Sequence, residues 1–174
     1  LIGYVVNATN IQNSYVQNLN IETPDNYSIQ AIGGVVGYLA SGSIQNVYAI
    51  GSITTSSSNV GGIVGLNNGS IQNVYSTVNI YSKGSYIGGI VGNVIEGSST
   101  DSISNSLALG DVYTSSDTTN IGRVVGNPSA TYTNSYAWSN QHINGELSTA
   151  NSNILLSASE LQDLFTYTNQ IFLG

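Results

Sequence analysis

Cysteine and methionine are both missing from the 174 residues. The first absence removes disulfide staples and thiolate chemistry, so whatever holds this chain together is non-covalent. Charge is nearly missing as well, with two Lys+Arg against nine Asp+Glu, for a net charge of -7. Two basic residues cannot form the patch that a phosphate backbone needs, so nucleic acid is excluded as a direct partner. An anionic membrane surface is an equally poor match. No apolar run reaches the roughly 18 residues of a membrane-spanning helix, so membrane insertion by such a helix is not expected. The chain has one histidine and two prolines. What remains is glycine and uncharged polar residues, and their order is informative.

A Gly-rich apolar pentad occurs four times: Gly33-Gly34-Val35-Val36-Gly37, Gly61-Gly62-Ile63-Val64-Gly65, Gly88-Gly89-Ile90-Val91-Gly92 and Gly122-Arg123-Val124-Val125-Gly126. Each is followed, after a polar turn, by an apolar-x-Asn-x-Tyr type of segment. A further segment of this kind precedes the first full pentad, and Leu1-Ile2-Gly3-Tyr4 aligns with Val35-Val36-Gly37-Tyr38. The first repeat is therefore read as truncated, and the chain as a piece of something longer. The segments open at Ile11, Ile44, Ile71, Ile103 and Tyr132, spacings of 33, 27, 32 and 29 residues. Such repetition specifies a stacked, quasi-one-dimensional fold.

The pentad is too short and too glycine-rich for a helix and reads as a short buried strand. In Leu66-Asn67-Asn68-Gly69-Ser70 the Asn-Gly pair signals a turn. Ile71-Gln72-Asn73-Val74-Tyr75 has strand alternation, and a further short strand is expected to end at Ile80, as at Ile53 and Val112. Helical periodicity is absent, which removes an α-solenoid, and a propeller blade would need about 40 residues. Coils of roughly 30 residues with three short strands fit an all-β parallel β-helix of about five coils. Right-handedness is the default for parallel crossovers. Residues 1–145 form the solenoid in this reading, and 146–174 a capping segment.

Asn13, Asn46, Asn73, Asn105 and Asn134 hold the same place in every copy. Stacked, their amides can donate and accept from coil to coil, so they are expected as a buried structural ladder rather than a polar binding stripe. Two residues on come Tyr15, Tyr48, Tyr75, Leu107 and Tyr136. The tyrosines are expected as an aromatic stack on the same strand face. Leu107 favours packing over sugar stacking. The repeat glycines Gly34, Gly37, Gly62, Gly65, Gly89, Gly92, Gly122 and Gly126 are expected where backbones approach closely. At the end of the chain, Ser157 and Glu160 make a capping box and Leu161, Leu164 and Phe165 an apolar helical face. A short helix over 158–166 is expected to close the stack.

Catalytic parts are hard to assemble. His142 stands alone, so neither a zinc-binding His-Glu-x-x-His helix nor a Ser-His-Asp triad is available, and His142 reads as a loop residue. Acid/base work on sugars needs clustered carboxylates with a basic partner. Lys83 and Arg123 are the two basic residues, and Asp101, Asp111 and Asp117 the nearest approach to an acidic cluster. They read as solvated turn residues, with a loop calcium site as the weaker reading. No catalytic residue, cofactor or metal ligand is assigned.

Gly61 through Tyr75 resembles the GLUG motif repeat of bacterial surface proteins, a group that includes adhesins and the non-catalytic region of immunoglobulin-A-cleaving zinc metallopeptidases. The resemblance covers most of residues 1–145. Asn134-Ser135-Tyr136-Ala137, Ile143-Asn144-Gly145, Ser159-Glu160-Leu161 and Phe165-Thr166-Tyr167-Thr168 are similar to the segment closing those repeats. The catalytic zinc motif has no counterpart here. The resemblance implies a non-catalytic module of an exported, extracellular or cell-surface bacterial protein. Such a module acts as stalk, scaffold or adhesion surface, with the rest of a larger protein and a host glycan or protein as partners. The alternative is a carbohydrate-binding or carbohydrate-active β-helix.

Overall fold

The computed structural model describes residues 1–7, 9–25, 29–95, 103–115, 120–127, 129–147, 155–160 and 162. All pairs between the strands of these residues are parallel, and they build three sheets along one stack. The first sheet has four-residue strands: β1 (Ile2–Val5), β4 (Val36–Leu39), β7 (Val64–Asn67) and β10 (Val91–Val94). The corner sheet has two-residue strands: β3 (Ile32–Gly33), β6 (Val60–Gly61), β9 (Ile87–Gly88) and β14 (Ile121–Gly122). The long sheet starts with the 13-residue strands β2 (Asn10–Glu22), β5 (Ser43–Thr55) and β8 (Ser70–Ser82). On β8 lie three short pieces, β11 (Ile103–Ser104), β12 (Leu107–Ala108) and β13 (Val112–Thr114). Then come β15 (Tyr136–Trp138) and β16 (Leu155–Leu156).

A full turn therefore runs corner strand, bend, four-residue strand, polar turn, long strand. About four such turns stack into a β-solenoid, and the first and last are incomplete. The expected three short strands per coil become two short strands and one long one in the middle of the stack.

Register explains the core. Ile11, Ile44, Ile71 and Ile103 lie one above another, as do Ile21, Ile53, Ile80 and Val112, and Ile2, Val36, Val64 and Val91. Ile44, Ile53, Ile63, Ile71, Ile87 and Ile90 are fully buried. β-Branched side chains repeat at matched positions because they fill a pleated, enclosed surface in few rotamers. Burying each is worth about 1.5–3 kcal/mol before ordering costs are subtracted.

The pentad is not one strand. In the second copy, Val60–Gly61 is a corner strand, Gly62-Ile63 is a bend, and Val64 opens β7. The reason is steric. A Cβ on Gly61 would lie well inside contact with the Val64 carbonyl oxygen, and at 2.7 Å from Ile90 O and Gly92 N. On Gly65 it would meet Asn59 O and Ile32 N at 2.6 Å. Glycine thus lets the chain fold back on itself and lets two sheets touch backbone to backbone.

A column of hydroxyls marks where the long strand leaves its sheet. Thr55, Ser82 and Thr114 share a register and are buried. Thr23 Oγ1 lies 2.6 Å from Thr55 Oγ1. Thr55 accepts from Ser57 N, while Ser82 donates to Ser57 O and accepts from Gly84 N. Thr55 and Ser82 close the turns that follow them and Thr114 donates to Gly84 O one coil away, which is why polar groups sit there without an apolar penalty.

At the C-terminal end Arg123 occupies the place of a pentad glycine and is buried. Its Nη1 donates to Gln141 O at 2.5 Å and Trp138 O at 3.4 Å. Gln141, fully buried, donates to Gly110 O and Arg123 O. Burial lowers the Arg123 pKa, with Asp111 opposing. So the atypical last pentad plugs the interior. Beyond it β16 adds to the long sheet, and residues 158–160 and 162 are helical. The capping box is formed: Glu160 N donates to Ser157 Oγ, and Ser157 N and Oγ donate to Glu160 Oε2. These bonds hold the Glu160 carboxyl below its usual range. Leu161, Leu164 and Phe165 lie outside the described residues.

Gly61→Ala is expected to destabilise the fold by about 2 kcal/mol or more, since the added methyl strikes backbone atoms that cannot yield. Gly3→Ala, with nothing within 4 Å of the added carbon, is expected to be near neutral. Urea midpoints of the two variants check the contrast.

Candidate functional site

The outward face of the long sheet carries the repeated polar residues. Asn13, Asn46, Asn73, Asn105 and Asn134 have φ of 52°, 55°, 54°, 50° and 45°. This is the left-handed region, which L-residues other than Gly avoid and Asn tolerates best. Two-residue alternation would place Ile44, Asn46 and Tyr48 on one side. The left-handed residue resets that phase: Ile44, Val47 and Ala49 point inward, while Gln45, Asn46 and Tyr48 face outward. The expectation of a buried Asn column is therefore corrected. Asn46 and Asn73 are half-buried, and Asn13, Asn105 and Asn134 are exposed.

Four of the five amides are nonetheless joined, and among the described residues none bonds to Asn134. Asn46 Nδ2 donates to Asn13 Oδ1 at 3.0 Å, Asn73 to Asn46 at 3.1 Å, and Asn105 to Asn73 at 3.2 Å. A second amide column, missed in the sequence, runs along another edge. Asn93 Nδ2 donates to Asn59 Oδ1 and Asn127 Nδ2 to Asn93 Oδ1. Asn93 and Asn127 each follow a pentad, but Asn59 precedes one, so no single repeat position defines the column.

Tyr15, Tyr48 and Tyr75 stack with centroids 5.1 and 4.8 Å apart and planes within 8°. Leu107 pairs in register with Tyr75 below and Tyr136 above, which separates Tyr136 from the stack. Burial, and then the neighbouring Tyr48, raise the Tyr75 pKa. Tyr81 and Tyr113 form another stacked pair, and Tyr4 and Tyr38 an edge-on one. Face-to-face stacking hides the ring faces and leaves the edges and hydroxyls in solvent. A sugar needs a ring face, so this row is a poor glycan platform.

The titratable groups are scattered. His142 Nδ1 lies 3.3 Å from Asp111 Oδ1, with both side chains about half exposed, and His142 N donates to the same oxygen. Lys83 Nζ pairs with Asp25 at 2.7 Å, also in solvent. Asp101 and Asp117 lie outside the described residues. Among the described residues no three His, Cys, Asp or Glu side chains gather where they could hold a metal.

The GLUG motif family matches residues 28–54 and 56–81, so the chain carries GLUG repeats. A solved structure from Bacteroides ovatus, provisionally named an immunoglobulin A1 protease, aligns over 97% of this chain with a TM-score of 0.72 and 22% identity. The alignment spans 57% of that chain, and likeness at this identity speaks to the fold. The sequence matches no curated protein.

Asn73→Leu is expected to cost about 1–3 kcal/mol, because it strands the Asn46 and Asn105 amides and forces a branched side chain to positive φ. Asn73→Gly keeps the backbone and loses only the amide bonds, so its loss should be smaller. Equal losses in thermal unfolding would show that the backbone conformation contributes nothing.

Proposed function

We propose that this chain is a non-catalytic β-solenoid module of an exported bacterial surface protein, serving outside the cell as a stalk or as a lateral adhesion surface. The observation that supports this best is where its polar groups are spent. Amides and ring faces on the long sheet bond to the same residue type one coil away, and the turn hydroxyls close the turns beside them. That arrangement makes a stiff rod and leaves a nearly uncharged side surface. Catalysis needs a placed acid/base pair, nucleophile or metal in a concave site. The His142–Asp111 pair sits half in solvent, on an open surface.

The module would be the repeat part of a larger protein, such as a peptidase of the kind named for the Bacteroides ovatus structure. Its partner would be a host protein or glycan that meets Gln, Asn and Tyr edges by hydrogen bonds. The second reading, a carbohydrate-binding β-helix, draws on one feature, the outer face of Tyr15, which no ring among the described residues covers.

The test is to incubate the purified chain with polysaccharides and immunoglobulin and to follow both turnover and retention. No cleavage is expected. Any retention should change less than about twofold between low and physiological salt, since few charges are present to be screened. Turnover that disappears in Asp111→Asn would replace the scaffold reading by an enzyme.

A further inference from the structure

Cysteine and methionine are the usual targets of protein oxidation. This chain has neither, but it has 12 tyrosines, with one Trp and one His. Phenol rings are therefore the main place where one-electron oxidation can act. The placing of those rings relative to one another then decides the product.

The tyrosines are not equivalent. Tyr81 on β8 and Tyr113 on β13 are register partners, with ring centroids 4.8 Å apart and planes within 8°. Parallel rings so placed set each ring carbon about one strand spacing from its counterpart, a gap that side-chain rotation can close. Both are 38% exposed, so an oxidant reaches both rings and both can release a proton to water. The other rings are worse placed. Tyr48 and Tyr75 stack as closely but are half-buried, and burial raises the Tyr75 pKa. Gln17 Nε2 donates to the Tyr48 hydroxyl, which opposes removal of an electron from that phenol, and Tyr15 stacks on this same Tyr48. Tyr4 and Tyr38 meet edge-on at 77°, and Trp138 is half-buried.

We propose that Tyr81 and Tyr113 are a modification site, at which hydrogen peroxide acting through a peroxidase forms a dityrosine cross-link between neighbouring coils. Each phenol loses one electron and its hydroxyl proton. The two radicals couple through ring carbons ortho to the oxygens. The hydrogen on each bonded carbon then moves as a proton to the phenol oxygen, which restores both aromatic rings. The peroxide takes up the two electrons and two protons and leaves as two waters. The chain has lost two hydrogens and gained one carbon–carbon bond. That bond closes a loop over residues 81–113 and pins the three-residue strand β13 to β8. In a chain without cysteine it is the covalent staple that the coil register makes available.

The experiment treats the purified chain, at micromolar dilution, with a haem peroxidase and hydrogen peroxide. Intact mass, dityrosine fluorescence and mapping of a protease digest are then read. The expected product is a monomer lighter by two hydrogens, with one peptide joined to another through Tyr81 and Tyr113. Its yield should not change with protein concentration, because radicals held side by side couple in a unimolecular step. Tyr81→Phe and Tyr113→Phe should each lose this product, and Tyr48→Phe should keep it. The cross-linked monomer should melt about 5 °C or more above the untreated chain. Cross-links found only between chains, a dominant product at Tyr15, Tyr48 or Tyr75, or oxidation confined to Trp138 and His142 would each overturn the proposal. An equal yield of the Tyr81–Tyr113 product from chain unfolded in urea would do so too, since the register would then play no part. An unchanged melting temperature would remove the staple.

Discussion

The phase of each long strand depends on a backbone constraint near its start, an Asn held at positive φ. Such a conformation costs most residues about 1–2 kcal/mol and Asn less. At Asn46 it turns two-residue alternation into the sequence in, out, out, in, out, in over residues 44–49. Every later residue of the strand inherits that phase. Val47 and Ala49 reach the core and Tyr48 reaches the surface because Asn46 bends where it does. In a parallel stack the constraint recurs at the same height in each coil, so the amides meet and the Asn ladder follows from the bend.

The glycine pentads do the complementary work. Gly61 allows a chain reversal within four residues, and Gly65 brings two sheets to backbone contact. With that side closed by main chain alone, the interior can be filled by β-branched residues from the long strand and the bend. The stack contains no covalent link and few ion pairs among the described residues. It relies on many small repeated terms, which is how a chain with 6% charged residues and no cysteine can hold an elongated shape.

Much of this was legible in the sequence, and the limits are physical. A recurring apolar-x-Asn-x-Tyr strand at roughly 30-residue spacing can bury its face only by stacking, so the parallel solenoid followed from the repeat. The burial of Asn did not follow correctly, because strand alternation assumes extended φ at every position and Asn46 breaks it. The pentad reads as one strand because its apolar content hides a steric reason for glycine that appears only when Val64 O folds back on Gly61. The Asn59–Asn93–Asn127 column was invisible because it joins different phases of the repeat. Arg123 breaks the glycine pattern of the pentad, but its role as a plug depends on Gln141 and Trp138, which lie outside the pentads.

The candidate surface was legible in composition and not in geometry. Neutral, Tyr-rich and Asn-rich strands suggest a hydrogen-bonding face, yet the stacking of Tyr15, Tyr48 and Tyr75 withdraws the ring faces between them and leaves the outer face of Tyr15. The central claim is that left-handed Asn residues joined through their side-chain amides set the phase of the whole coil. Side-chain amide exchange by NMR tests it most directly. The Nδ2 protons of Asn46, Asn73 and Asn105 should exchange markedly more slowly than those of the exposed Asn140, and their backbone couplings should report positive φ. Fast exchange at all of these positions, with extended backbone at Asn46 and Asn73, would contradict the account.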